Sequence, residues 1–167
     1  MKLLVICVAL LIPSTLQAFC FEDAEKACGI DRGLLETIAA VESNMNPNAF
    51  HRNRNGSSDL GLMQINSAWI DILKLDRDKL MSDPCYNVMT GAKILKQCID
   101  RFGMEWVAVG CYNSADSQKR INYAWEVFQK LKTRGKRKME EPEKREARSA
   151  SSLVFTVRDV TREGKDE

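Results

Sequence analysis

Glu42-Ser43, Gly61-Leu62-Met63-Gln64-Ile65-Asn66 and Tyr112-Asn113 are the residues of this chain best suited to chemistry. The first pair places one carboxyl group at the end of an apolar helical run. The two later segments supply amides, a phenol and a ring face. Breaking a glycosidic bond needs such parts: an acid held protonated near neutral pH, and neutral polar groups that grip hydroxyls and N-acetyl groups. Glu42 follows Ile38 by four residues and Leu35 by seven, so it lies along the face that a helix would bury. Burial disfavours the carboxylate, and so does the negative end of a helix dipole; both raise the pKa. The plain alternative is a surface glutamate at a helix end. For Gln64 and Asn66 it is a pair of amides that serve only the core.

The elements that must position these residues read as mainly helical. Phe21 to Cys28 predicts a short helix that Gly29 ends. Asp31 is the N-cap of the next, Arg32 to about Glu42, with Leu34, Leu35, Ile38 and Val41 as its stripe. Residues 44–58 are rich in Asn with Pro47 and Gly56, which is loop or short-hairpin chemistry. Ser67 is the expected cap of a helix with Trp69, Ile70 and Leu73. Asp83-Pro84 opens a longer helix with Val88, Ala92, Leu95, Cys98 and Phe102 at helical spacing, and Gly103 stops it. Glu105 to Cys111 gives a short apolar helix that leads into Tyr112-Asn113. Ile121, Ala124, Trp125, Phe128 and Leu131 form the last stripe. The expected fold class is predominantly α, one compact helical domain with a small loop or hairpin region.

The chain of 167 residues is long enough for one domain with a real core. Its formal net charge of +2 points to no nucleic-acid partner. Residues 1–18 read as a secretory signal: Lys2, an apolar run from Leu3 to Ile12 too short to span a bilayer, and Ala18 at the cleavage point. The expected location is therefore periplasmic. Cys7 leaves with the signal; Cys20, Cys28, Cys85, Cys98 and Cys111 remain, an odd number in an oxidising compartment. Two bridges and one free thiol is the simplest reading, and sequence leaves the pairing open. With one histidine, His51, in a polar stretch read as a surface loop, no metal site or cofactor is expected. The domain is placed at residues 19–132. Residues 133–167, charged and with Leu153 to Val157 as their one apolar patch, are expected to be a disordered tail.

Four ordered motifs carry a resemblance. Ala40-Val41-Glu42-Ser43-Asn44-Met45-Asn46-Pro47, Asp59-Leu60-Gly61-Leu62-Met63-Gln64-Ile65-Asn66, Asp83-Pro84-Cys85-Tyr86-Asn87 and Ala108-Val109-Gly110-Cys111-Tyr112-Asn113 resemble the lytic transglycosylases of the soluble-lytic-transglycosylase type. The likeness covers about residues 20–131 and is nearest to the small exported members that accompany secretion, conjugation and pilus machines. It implies a lysozyme-like α+β fold and peptidoglycan glycan strands as substrate. It also implies Glu42 as the one acid/base, Ser43 as the residue that helps hold it, and Met63, Gln64, Asn66, Tyr112 and Asn113 along the glycan groove. Components of an envelope-spanning machine are implied partners. Cys111 departs from the Ala usual before Tyr-Asn. Cys20 with Cys85 is the pair this subgroup suggests; of the pairings that this leaves open among Cys28, Cys98 and Cys111, Cys98 with Cys111 is taken as the second bridge, which would leave Cys28 free.

Two other functions stay open at this stage. A muramidase that hydrolyses the bond would use a second carboxylate, for which Asp59 is the candidate, although a structural role in a turn suits it better. A peptidoglycan-binding assembly module would keep the groove and need no acid.

Overall fold

The computed structural model describes residues 19–135. The expected signal, residues 1–18, lies outside them, as does the expected tail beyond residue 135. Helix α1 (Phe21–Cys28) ends at Gly29, whose φ of 67° is the left-handed conformation expected of that cap. Helix α2 (Arg32–Glu42) starts at Asp31, which accepts the Leu34 N–H on its carboxylate. Strands β1 (Phe50–Arg52), β2 (Ser58–Leu60) and β3 (Ile65–Asn66) form one antiparallel sheet in that order. Phe50 pairs with Leu60, and Leu60 with Ile65. Helices α3 (Ala68–Leu73), α4 (Arg77–Ser82), α5 (Pro84–Phe102) and α6 (Trp106–Asn113) follow. A last helix, α7, occupies residues 117–135.

The mainly helical class holds, and the expected loop or hairpin region is a small three-stranded sheet that starts in the Asn-rich stretch and ends at Asn66. Asp83 caps α5 through the Tyr86 N–H, with Pro84 in the first turn, as the sequence predicts. Ser67 differs from its expected part. Its hydroxyl accepts the Ser58 N–H, and the α3 N-terminus is served by Asn66, which takes the Ala68 N–H. Helix α4 has no long apolar stripe to announce it; Asp76 holds it by accepting two N–H groups, from Asp78 and Lys79.

Helix α5 is the spine, about 28 Å long, against which α1, α4 and α6 pack. Leu35 and Ile38 from α2, Leu60 and Ile65 from the sheet, Val88 and Leu95 from α5 and Val127 from α7 meet in one core. Two disulfides pin its rim. Cys20–Cys85 ties the start of α1 to α5, and Cys98–Cys111 ties α5 to α6; Cys28 is a free, buried thiol. Cys98 and Cys111 are 13 residues apart. Replacing both by Ala is expected to cost about 2–3 kcal/mol by chain entropy, read from denaturant unfolding under oxidising conditions.

Helix α7 is clamped to α2 at two places. Glu36, nearly buried, pairs with Arg32 of its own helix and with Arg134. Lys130 donates to the Ala40 carbonyl at 2.7 Å, which satisfies one of the carbonyls a helix end leaves open. The boundary expected after residue 132 therefore falls inside a helix. The stripe read along α7 is also turned: Tyr123, Ala124 and Val127 are buried, whereas Ile121 and Trp125 are about 60% exposed. Trp106, Trp125 and Phe128 pack as an aromatic cluster on the outer surface instead.

Candidate active site

A cleft of about 850 Å³ runs between the sheet and the helical body. Glu42, Asp59, Gln64, Asn66, Tyr112 and Asn113, six of the residues singled out from sequence, line it. Glu42 is the last residue of α2, where the helix delivers its side chain from the core edge into the cleft. Burial is the main reason its carboxyl is pushed up from an ordinary 4.5 to about 7. The Tyr123 hydroxyl donates to Glu42 Oε1 at 2.5 Å and works in the opposite direction. The negative charges of Asp59 and Glu126 add smaller upward pushes. With Oε1 engaged by Tyr123, Oε2 is the oxygen left to carry a transferable proton.

Tyr123 was not found by sequence reasoning. It lies 81 residues from its partner, inside a helix whose larger apolar residues draw attention to another face. Burial first, and the nearby Glu42 charge second, hold both Tyr123 and Tyr112 well above the usual phenol value, so both remain hydrogen-bond donors. The Tyr112 hydroxyl donates to the Met63 carbonyl at 2.7 Å, which ties the end of α6 to the turn before β3.

Ser43 does not line the cleft. Its hydroxyl donates to the Leu62 carbonyl at 2.7 Å and accepts the Asn46 N–H, so it anchors the backbone just after Glu42. Met63 differs from its expected place on the groove. Its side chain is fully buried and fills the space over Gly91, where a Cβ would come within 2.8 Å of its terminal methyl. Gln64 adopts a left-handed conformation, φ 47°, and its amide nitrogen donates to the Gly61 and Ala49 carbonyls. Its amide oxygen is the group it can offer a ligand. Asn66 lines the cleft, yet its amide is engaged by Asp59, Ser57 and the Ala68 N–H. Asn113 is exposed at the end of α6.

Asp59 is held by two amides, one on each oxygen. Asn66 donates to Oδ1 at 2.6 Å and Asn53 to Oδ2 at 2.9 Å. Such a carboxylate is fixed in its orientation. It acts on Glu42 by its charge and braces the β1–β2 turn. Asn87 is a second brace that sequence reasoning did not single out as a functional residue. Wholly buried on α5, it accepts the Met63 N–H at 2.8 Å and donates to the Leu60 and Leu80 carbonyls. Gly61 leaves room for it: φ is +71°, and a Cβ there would lie 2.6 Å from the Leu80 carbonyl oxygen.

The raised carboxyl of Glu42 at the edge of a helical body, facing a small antiparallel sheet across a polar cleft, is an arrangement suited to acid-assisted cleavage of a glycosidic bond. The chain belongs to the transglycosylase SLT family, whose domain description matches residues 19–138, and it is a lytic transglycosylase. It is 44% identical over 138 residues to the invasion protein IagB of Salmonella typhi, which covers 77% of this chain and 86% of that protein. It is 36% identical over 126 residues to protein IpgF of Shigella flexneri, covering 71% and 83%. A peptidoglycan-binding-like protein of Escherichia coli O157:H7 is 35% identical over 123 residues, 65% of this chain and 74% of that one.

Proposed function

We propose that this enzyme cleaves the β-1,4 bond between N-acetylmuramic acid and N-acetylglucosamine in peptidoglycan and closes a 1,6-anhydro ring on the muramic residue. The observation that carries this reading is the raised carboxyl of Glu42, with the cleft's other carboxylate among the described residues, Asp59, already engaged by two amides. Glu42 gives its proton to the glycosidic oxygen as the bond to C1 breaks. The substrate's own N-acetyl oxygen shields the cation that develops, which takes the place of a second carboxylate. Glu42, now charged, accepts the proton of the muramic 6-hydroxyl as that oxygen bonds to C1. The attacking oxygen is part of the substrate, so no water has to be positioned. We also infer export through residues 1–18 and action in the periplasm, where the enzyme opens the wall locally for a secretion, conjugation or pilus apparatus; this part rests on the motif resemblance.

The protonation step fixes the sign of the pH response. Activity should fall on the alkaline side as Glu42 loses its proton near pH 7. Tyr123→Phe removes a bond that favours the carboxylate, so the alkaline limb should move up by about one pH unit. Asp59→Asn removes a repelling charge, so the limb should move down, with cleavage retained. Profiles of kcat/KM against pH check both; movement in the same direction for both variants would contradict the assignment. A hydrolase relying on Asp59 would instead lose cleavage in Asp59→Asn.

Product mass decides the reaction type. Digestion of purified sacculi is expected to release muropeptides one water lighter than their hydrolysed counterparts. A digest that contains only reducing ends would overturn the transglycosylase mechanism in favour of a muramidase.

A further inference from the structure

The cleft holds positive charge that the chemistry at Glu42 does not use. Arg52 at the end of β1, Arg54 in the turn after it and Lys119 near the start of α7 all line it. All three side chains are exposed, and among the described residues none forms an ion pair or a side-chain hydrogen bond. Arg32, Lys96 and Arg134 elsewhere on the surface each face a carboxylate. In the cleft Asp59 bears a negative charge that acts on Glu42, yet among the described residues its oxygens meet Asn53 and Asn66 and none of the three cations. Glu42, the other carboxyl that lines the cleft, is protonated below about pH 7, so one carboxylate faces three cations there. Three cations around one cleft repel one another, and an anionic ligand relieves that repulsion.

The sugar rings of a glycan strand carry no charge. The lactyl group of muramic acid is joined to the peptide stem as an amide, so the charges nearest the scissile bond are the free carboxylates of that stem. The stem leaves the same muramic residue whose bond Glu42 breaks. An anion held in the cleft alongside the reacting sugar therefore belongs to the stem. We propose that Arg52, Arg54 and Lys119 form a subsite for the carboxylates of the peptide stem, so that the substrate is glycan with acidic stems rather than glycan alone. This deepens the proposed function and rests on it. Arginine suits the task because its planar fork meets a carboxylate with two parallel hydrogen bonds.

Binding tests the subsite without relying on turnover. Glu42→Gln protein is sedimented with intact sacculi and with sacculi whose free carboxylates have been converted to amides. The parent is expected to bind intact sacculi roughly tenfold more tightly than amidated ones. Adding Arg52→Glu and Arg54→Glu together should weaken binding to intact sacculi roughly tenfold and leave binding to amidated sacculi nearly unchanged. Lys119→Glu should show the same pattern with a smaller effect. Equal losses on both substrates, or no loss on intact sacculi, would overturn the proposal. A parent enzyme that releases no anhydro product would defeat the enzymatic reading instead, and the binding comparison would still stand.

Discussion

Glu42→Gln is expected to lower release of anhydro-muropeptides from sacculi by roughly a thousandfold or more, since one group serves both as acid and as base. The amide has no proton of useful acidity for the glycosidic oxygen. It also cannot accept the proton of the 6-hydroxyl. The fold should survive, because the amide oxygen can still accept from Tyr123, which now donates to Glu42 Oε1. Stability supplies an independent readout. Glu42 titrates at about 7 in the folded chain against an ordinary 4.5. Between those values the folded state keeps a proton that the unfolded state has released, so rising pH lowers stability across that window. The cost is complete above pH 7 and absent below pH 4.5. Gln removes it. The variant should therefore match the parent near pH 4 and exceed it near pH 8 by on the order of 3 kcal/mol. Denaturant unfolding at the two pH values, beside a muropeptide assay, checks both halves. Retained lysis would remove Glu42 from the mechanism. Lost lysis with lower stability at pH 8 would mean that the substitution harms the fold.

Much of this site was legible because its signals are local. The i, i+4 spacing from Ile38 to Glu42 puts the acid on the buried side of α2 whatever the rest of the chain does. The caps at Asp31 and Asp83 and the stop at Gly29 are also decided by a few neighbouring residues, and the structure has them where the sequence predicts. The motif resemblance then joined segments that spacing alone could not join, and six of the expected residues do meet in one cleft.

What could not be read depends on contacts across the chain. Helix α7 carries two apolar faces. Ile121, Trp125 and Phe128 make the more hydrophobic one, yet Tyr123 and Val127 face the core. A buried phenol needs a partner for its hydroxyl, and Glu42 on another helix provides it. Nothing near residue 123 announces that partner. Met63 shows the converse error. It stands in a motif associated with the groove, but in the structure its side chain is core and only its backbone serves the site, as acceptor for Tyr112. Asn66 likewise has its amide committed to Asp59, Ser57 and the start of α3. Residue type shows what a side chain could offer a sugar; the hydrogen-bond partners show whether the group is still available.

Asn87→Leu is expected to destabilise the chain by about 3–6 kcal/mol, because it leaves several buried backbone groups without partners. The Asn87 amide is fully used: Oδ1 accepts from Met63, and Nδ2 donates to Leu60 and Leu80. Leucine has the same number of side-chain heavy atoms and the same branch at Cγ, so no cavity is left and the main cost is that of unmet hydrogen bonds. The effect should reach the site as well. Asn87 holds the chain at Leu60 and Met63, on either side of the Gly61–Leu62 turn. Within that span the Leu62 carbonyl accepts from Ser43 and the Met63 carbonyl from Tyr112. A shift there loosens the backbone next to Glu42 and the ring beside it together. At a temperature where the variant stays folded, kcat should fall along with stability, whereas Cys98→Ala/Cys111→Ala should lose stability with little change in kcat. Urea unfolding and muropeptide release from the two variants make the comparison. Stability within 1 kcal/mol of the parent for Asn87→Leu, which is the cost of an ordinary core exchange, would show that Asn87 does not organise this turn.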